Sequence, residues 1–151
     1  MDFKFLISDL IKIKSQKEIG TDKGLAKIGD GIVNLVYSVA KSIYLTNNLN
    51  NKILRTGIKV NRTILSNALK NADMKNFARS RGDAHDLADT VEALIAYVWL
   101  NNDITLKDMI EFIAENLSGD LTIRTEEVKN ATEAFKVLLN HIKSFLPEPI
   151  K

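Results

Sequence analysis

Apolar residues recur three or four positions apart along almost the whole chain, which is the spacing of one helical face. No useful run alternates apolar and polar residues, as a half-buried β-strand would. The sequence therefore predicts an all-α fold, a single-domain helical bundle over residues 1–151. The predicted helices cover residues 2–16, 22–46, 59–71, 84–101, 106–117 and 125–146, with one short helix near 74–79 and a loop at 47–51.

Capping side chains stand at several of the predicted helix starts. Asp83 is a predicted N-cap with Asp86 three residues later, and Thr105 with Asp108 resembles a capping box. Thr125 precedes two glutamates, an arrangement that favours the start of the last helix there.

The composition excludes several kinds of site. The chain has no cysteine and two histidines, so disulfides, thiolate catalysis and cysteine zinc sites are excluded and a multi-histidine site is not expected. A net charge of +2 does not indicate a strongly basic nucleic-acid binder, but it allows a local basic face. No run of 18 apolar residues and no secretory signal is present, so we expect a cytoplasmic protein without membrane contact.

Two carboxylates stand on one face of the predicted helix 84–101. Asp89 and Glu92 are three residues apart, which stacks their side chains on one side of a helix. The residues around them are those of a packed core, where an acid is unfavourable unless it is paired, protonated or bound to a metal. Mg²⁺ takes oxygen ligands from one or two carboxylates plus water, so the pair indicates a divalent cation, Mg²⁺ or Mn²⁺.

A third carboxylate, Asp30, lies between Gly29 and Gly31 in the predicted helix 22–46. Glycine inside a helix costs about 1 kcal/mol relative to alanine, so these positions indicate the close approach of another helix. If that helix is 84–101, Asp30 comes near the other two acids. Three converging carboxylates would hold one or two divalent cations.

These residues resemble the two sequence signatures of the ribonuclease III catalytic domain. The first signature ends in an apolar residue, Gly and Asp, as residues 28–30 do. The second has Asp, two residues and then Glu-Ala-Leu-Ile, as residues 89–95 do, with an aromatic residue and leucine within 97–100. The resemblance runs through about residues 21–117, and the second signature is the more specific of the two.

That resemblance implies the fold of the ribonuclease III endonuclease domain, a homodimer, and metal-assisted hydrolysis of phosphodiesters. Asp30, Asp89 and Glu92 fall on the family's catalytic and metal-ligand positions. The implied substrate is double-stranded or structured RNA, such as a ribosomal RNA precursor. With only a short tail after residue 146, the chain is similar to the compact Mini-ribonuclease III branch, which has no double-stranded-RNA-binding domain.

Basic side chains outside the signatures are the candidate contacts to RNA phosphates, which would make binding fall with salt. A-form RNA would be recognised by its shape and its 2′-hydroxyls. The predicted RNA-binding residues are Arg55, Arg62, Lys75, Arg79 and Arg81, with Lys59 and Lys70 as further candidates.

The chain departs from the family pattern at Ala26, where the family usually has a glutamate four residues before the first aspartate. Lys27 stands where the family prefers an apolar aromatic residue, and Lys23 stands where a family acid often sits. The candidates to replace the missing carboxylate are Asp22, Asp86, Glu111 and a water.

Two other functions stay open. A catalytically impaired family member would bind RNA or a ribonucleoprotein without cutting, and Ala26 favours this alternative. A helical interaction module would carry Asp89 and Glu92 as a polar stripe, or pair them with Arg79 or Arg81. Acids more than about 10 Å apart would end the metal-site hypothesis, since paired catalytic metals lie only ~3.5–4 Å apart.

Overall fold

All regular secondary structure is helical in the residues that a computed structural model of the chain describes, 1–13, 15–49 and 52–148. The all-α prediction is therefore confirmed. The α-helices are α1 Ser8–Ile13, α2 Gln16–Gly20, α3 Lys23–Asn48, α4 Arg62–Asn71, α5 Ala84–Leu100, α6 Leu106–Asn116 and α7 Arg124–Ile142. Short 3₁₀ helices cover Lys4–Ile7, Lys75–Phe77 and Lys143–Phe145.

The prediction of one continuous helix over 2–16 is wrong. A 3₁₀ helix leads into α1, and α2 then starts separately at Gln16. Ser15 has an extended backbone, and its hydroxyl accepts a hydrogen bond from the Glu18 N–H, which makes it the N-cap of α2. Residues 14–18 are all polar, so the apolar periodicity gave no information about where one helix ends and the next begins.

The other helix starts follow their capping side chains closely. Asp22 accepts a hydrogen bond from the Leu25 N–H at 2.8 Å and caps α3. Asp83 and Thr105 both form capping boxes, as the sequence predicted. The last helix instead begins at Arg124, after Ile123, with no side-chain cap.

Helix α5 is the centre of the bundle. Almost every residue from Leu87 to Leu100 is buried, because the helix is apolar on all sides and is covered by neighbours. It packs most extensively on α3 and then on α4, while α7 covers α4 and α6. Two of the three predicted acids lie on this buried helix.

An extended segment, residues 54–60, runs along α3 and is called the strap below. The helix predicted over 59–71 begins only at Arg62. Helix α3 continues to Asn48 and so extends into the loop predicted at 47–51. Residues 50 and 51 of that predicted loop lie outside the described residues. A polar side chain at every fourth residue of α3 forms hydrogen bonds with the backbone N–H or C=O of every second residue of the strap. The donor–acceptor distances are 2.7 to 3.4 Å. The pairs are Thr46 with Leu54, Ser42 with Thr56, Ser38 with Ile58 and Asn34 with Val60.

The spacings explain this ladder. Four helical residues advance about 6.0 Å and two extended residues about 6.6–6.8 Å, so the two repeats stay matched over the three steps between the four pairs. None of the helices within the described residues is long and apolar enough to cross a membrane.

Candidate active site

The site is built where α3 and α5 touch. A Cβ on Gly29 would collide with the backbone carbonyl of Glu92, so only glycine allows this approach. The predicted contact at Gly29 is therefore found, whereas at Gly31 a Cβ would meet nothing within 4 Å. The interpretation of Gly31 as a contact residue was wrong.

The contact brings Asp30 and Glu92 together. Glu92 is only 8% exposed and has no ion pair among the described residues. Burial, a hydrogen bond with Asp30 and the negative charges of Asp30 and Asp89 raise the pKa of Glu92 to about 8. Asn34 donates a hydrogen bond to Asp30 at 3.2 Å and accepts another from the strap N–H of Val60. Glu92 therefore keeps its proton at neutral pH, and a cation bound beside the two acids would favour its ionisation.

Asp89 faces the same cavity but has a different environment. Its Oδ2 lies 3.0 Å from the Lys23 Nζ and 3.7 Å from the His85 Nε2. Within the described ranges, no three His, Cys, Asp or Glu side chains are gathered closely enough to hold a metal ion together. In the described part of the chain the site therefore consists of two acids that form no ion pair, Asp30 and Glu92, and a third, Asp89, that is paired with Lys23.

The cavity in front of the acids has a volume of about 530 Å³, and four lysine and arginine side chains line it together with apolar residues. Lys59 and Arg62 reach it from the strap and the start of α4. Lys23 and Lys27 reach it from α3, one turn apart and ahead of Asp30. Lysine and arginine side chains facing one buried and two half-buried acids suit a phosphate group held beside a bound cation.

Ala26 forms part of the cavity wall and supplies no oxygen ligand. None of the proposed protein replacements lines this cavity. Asp22 caps α3, and Asp86 closes the cap of α5 and pairs with Arg79 at 2.8 Å. Glu111 lines a different cavity. Arg79 thus pairs with Asp86 rather than with Asp89 or Glu92.

The predicted RNA-binding residues fall into three places. Arg62 lines the acidic cavity, while Lys75, Arg79 and Arg81 line a cavity of about 290 Å³ together with Lys17. A smaller cavity of about 210 Å³ shares Lys23 and Asp89 with the first and Arg79 with the second. Arg55 lies apart, beside Ser38 and Ser42, so the structure does not group it with the others.

Sequence reasoning missed Lys23, Lys27 and Lys17 as members of these cavities. Lys23 and Lys27 are four residues apart, and Lys27 precedes Asp30 by three. A helical projection would therefore have placed both lysines on the same face as Asp30. Lys17 carried no such signal, because its position depends on how α2 packs against the loop that contains Ser80, whose hydroxyl is 2.9 Å from the Lys17 Nζ.

A family model described as Ribonuclease III matches residues 23–147, which is most of the chain and includes α3 to α7. No curated protein matches the chain.

Proposed function

The chain belongs to the ribonuclease III family, and on that premise we propose that it is a metal-dependent endoribonuclease that hydrolyses double-stranded or structured RNA. The observation that carries the proposal is the meeting of Asp30 and Glu92 at the Gly29 contact, in a cavity lined by lysine and arginine side chains. The ribosomal RNA precursor and the cytoplasmic location stay predictions from the sequence.

The donor set suits a hard divalent cation, Mg²⁺ or Mn²⁺. At neutral pH Glu92 keeps its proton beside Asp30, because burial and the negative charges of Asp30 and Asp89 disfavour ionisation of Glu92, and a divalent cation relieves the same repulsion. Such a cation, when bound, lowers the pKa of a water and stabilises negative charge on a leaving oxygen. Asp30 and Glu92 would hold it, and Asp89 completes the acidic side of the cavity.

The residues of the chain supply binding and orientation. Lys59 and Arg62 stand on the strap side of the cavity, where they can neutralise the phosphate to be cleaved. Asn34 fixes Asp30 relative to the strap, and the Gly29 contact fixes it relative to Glu92. The three adjoining cavities are lined by lysine and arginine side chains, which could contact several successive phosphates of an A-form RNA backbone.

We also propose that the protein is a homodimer through α3. An apolar stripe on this helix is exposed, which is unusual over about four turns of one helix face. Its members are Ile28 (38% exposed), Leu35 (50%), Val39 (37%) and Ile43 (38%), with the open Gly31 between the first two.

The test is cleavage of double-stranded RNA in Mg²⁺. We expect cutting by the native protein, its loss on chelation of the metal, and at least a ~100-fold lower rate for Asp30→Asn and Glu92→Gln, since each removes a negative ligand. Glu133→Gln, an exposed glutamate on α7, is the matched control and keeps full activity. Equal rates for Glu92→Gln and Glu133→Gln would contradict the proposal.

The alternative is a family member that binds RNA without cutting it, and Ala26 in the cavity wall favours this function. It predicts RNA binding that falls with salt and is unchanged by Glu92→Gln, and no cleavage products in Mg²⁺.

A further inference from the structure

The three acids of the site differ in how their charges are balanced. The Asp89 Oδ2 lies 3.0 Å from the Lys23 ammonium and 3.7 Å from the His85 Nε2. Asp30 accepts a hydrogen bond from the neutral amide of Asn34, and neither Asp30 nor Glu92 forms an ion pair in the described part of the chain. The site therefore has one acid that already carries a cation and two acids that lack one.

We propose that this active site takes a single divalent cation, at Asp30 and Glu92, and that the Lys23 ammonium stands in the place beside Asp89 that a second cation would fill. The inference rests on the proposed metal-dependent function and specifies how many metals that function uses.

The surroundings oppose a second metal. A pair of catalytic metals lies ~3.5–4 Å apart and needs carboxylates on both sides. Ala26 contributes no oxygen to the cavity wall, and no third ligand is gathered around Asp30 and Glu92 among the described residues. A dication beside Asp89 would also be repelled by the ammonium already there.

The ammonium has capacity left for substrate. It is a three-donor group, and one donor is directed to Asp89. The Lys23 side chain is 68% exposed and lines the acidic cavity, so its remaining donors can meet a phosphate oxygen beside the metal position. Lys23 is thus a positioning residue for Asp89 and a fixed positive charge for RNA.

The test counts Mn²⁺ ions bound per chain, by electron paramagnetic resonance of the free ion, without RNA. We expect one Mn²⁺ in the native protein and none in Glu92→Gln. Lys23→Glu places a carboxylate beside Asp89 and should bind two, whereas Lys23→Gln removes the charge without adding a ligand and should bind one, several-fold more tightly. Lys17→Glu makes the same charge change outside the acidic cavity and should bind one.

Three results would overturn the inference: two Mn²⁺ in the native protein, loss of Mn²⁺ in Asp89→Asn, or one Mn²⁺ in Lys23→Glu. Thermal melts would check that each variant is folded. The exposure of Lys23 leads us to expect that its two variants are. Two ions with retained cleavage would leave the proposed function standing, whereas no Mn²⁺ binding by the native protein would overturn the metal-dependent function together with this inference.

Discussion

Two buried glutamates of this chain show how neighbours decide the state of a carboxyl group. Glu127 is 4% exposed and Glu92 is 8% exposed. Burial alone would raise both pKa values, but Glu127 accepts hydrogen bonds from Lys41 and Tyr37 that hold its pKa below the ordinary value. Glu92 faces Asp30 instead, and its pKa rises to about 8. Glu127 therefore joins α7 to α3, while Glu92 stays available for a ligand.

At this scale we predict that the metal-free protein loses stability as the pH rises from about 4.5 to about 8. In the unfolded chain Glu92 loses its proton near the ordinary value of 4.5, but in the native state it keeps it until about 8. The native state therefore binds more protons in this window, so the free energy of unfolding falls with pH, by about 1–2 kcal/mol after allowance for water in the cavity.

Thermal melts between pH 5 and pH 8 in a chelator measure this effect. Glu92→Gln should remove most of the slope and be the more stable protein at pH 8, whereas Glu133→Gln should keep it. An unchanged slope in Glu92→Gln would show that another group titrates. Saturating Mg²⁺ or Mn²⁺ should also flatten the slope, since the cation replaces the proton.

At the scale of elements, the pairing of α3 with α5 depends on one missing side chain. Gly29 lies against the Glu92 carbonyl, and the same contact sets Asp30 beside the Glu92 carboxylate. Gly31, two residues later on the same helix, faces open space. The two glycines are therefore alike in sequence context and opposite in structural role.

We predict opposite effects of alanine at these positions. Gly29→Ala should lower the free energy of unfolding by about 1–3 kcal/mol or more, because the methyl group forces the helices apart, and should reduce metal binding and cleavage. Gly31→Ala should raise it by up to about 1 kcal/mol, because alanine favours the helix. Chemical denaturation of both variants measures the difference, and a similar loss in both would contradict the contact.

Much of the fold followed from local patterns, and most failures were those of long-range pairing. The break at Ser15 is the exception, since it follows from a local N-cap that was not recognised. Periodicity and caps located α3 and α5 to within a few residues, and an acid between two glycines led to the Gly29 contact. The strap was missed because its partners, such as Ser38 and Ile58, are 20 residues apart in sequence. The Lys23–Asp89 pair was missed because the position of a long side chain depends on how two helices pack.

At the scale of the whole molecule, the even charge balance conceals an uneven distribution. The net charge is +2, yet the three adjoining cavities collect lysines and arginines around a few acids. The apolar stripe of α3 is the second feature of the surface, and the proposed dimer would cover it.

We predict that Val39→Glu makes the protein monomeric, because two charges would be buried at a symmetric interface. Ile123→Glu places the same charge on an apolar residue that is 50% exposed on another element and should leave the assembly unchanged. Sedimentation equilibrium measures both. A native protein that sediments as a monomer would contradict the dimer itself.

The hydrogen bonds between α3 and the strap require a fixed number of residues between Leu54 and Val60. An extended chain alternates the direction of its backbone groups, so one inserted residue would turn every later N–H away from its serine or asparagine. Two inserted residues would restore the alternation but move Lys59 and Arg62 by about 6.6–6.8 Å relative to Asp30. During divergence of related chains, insertions and deletions should therefore accumulate before Leu54 and be purged from the strap.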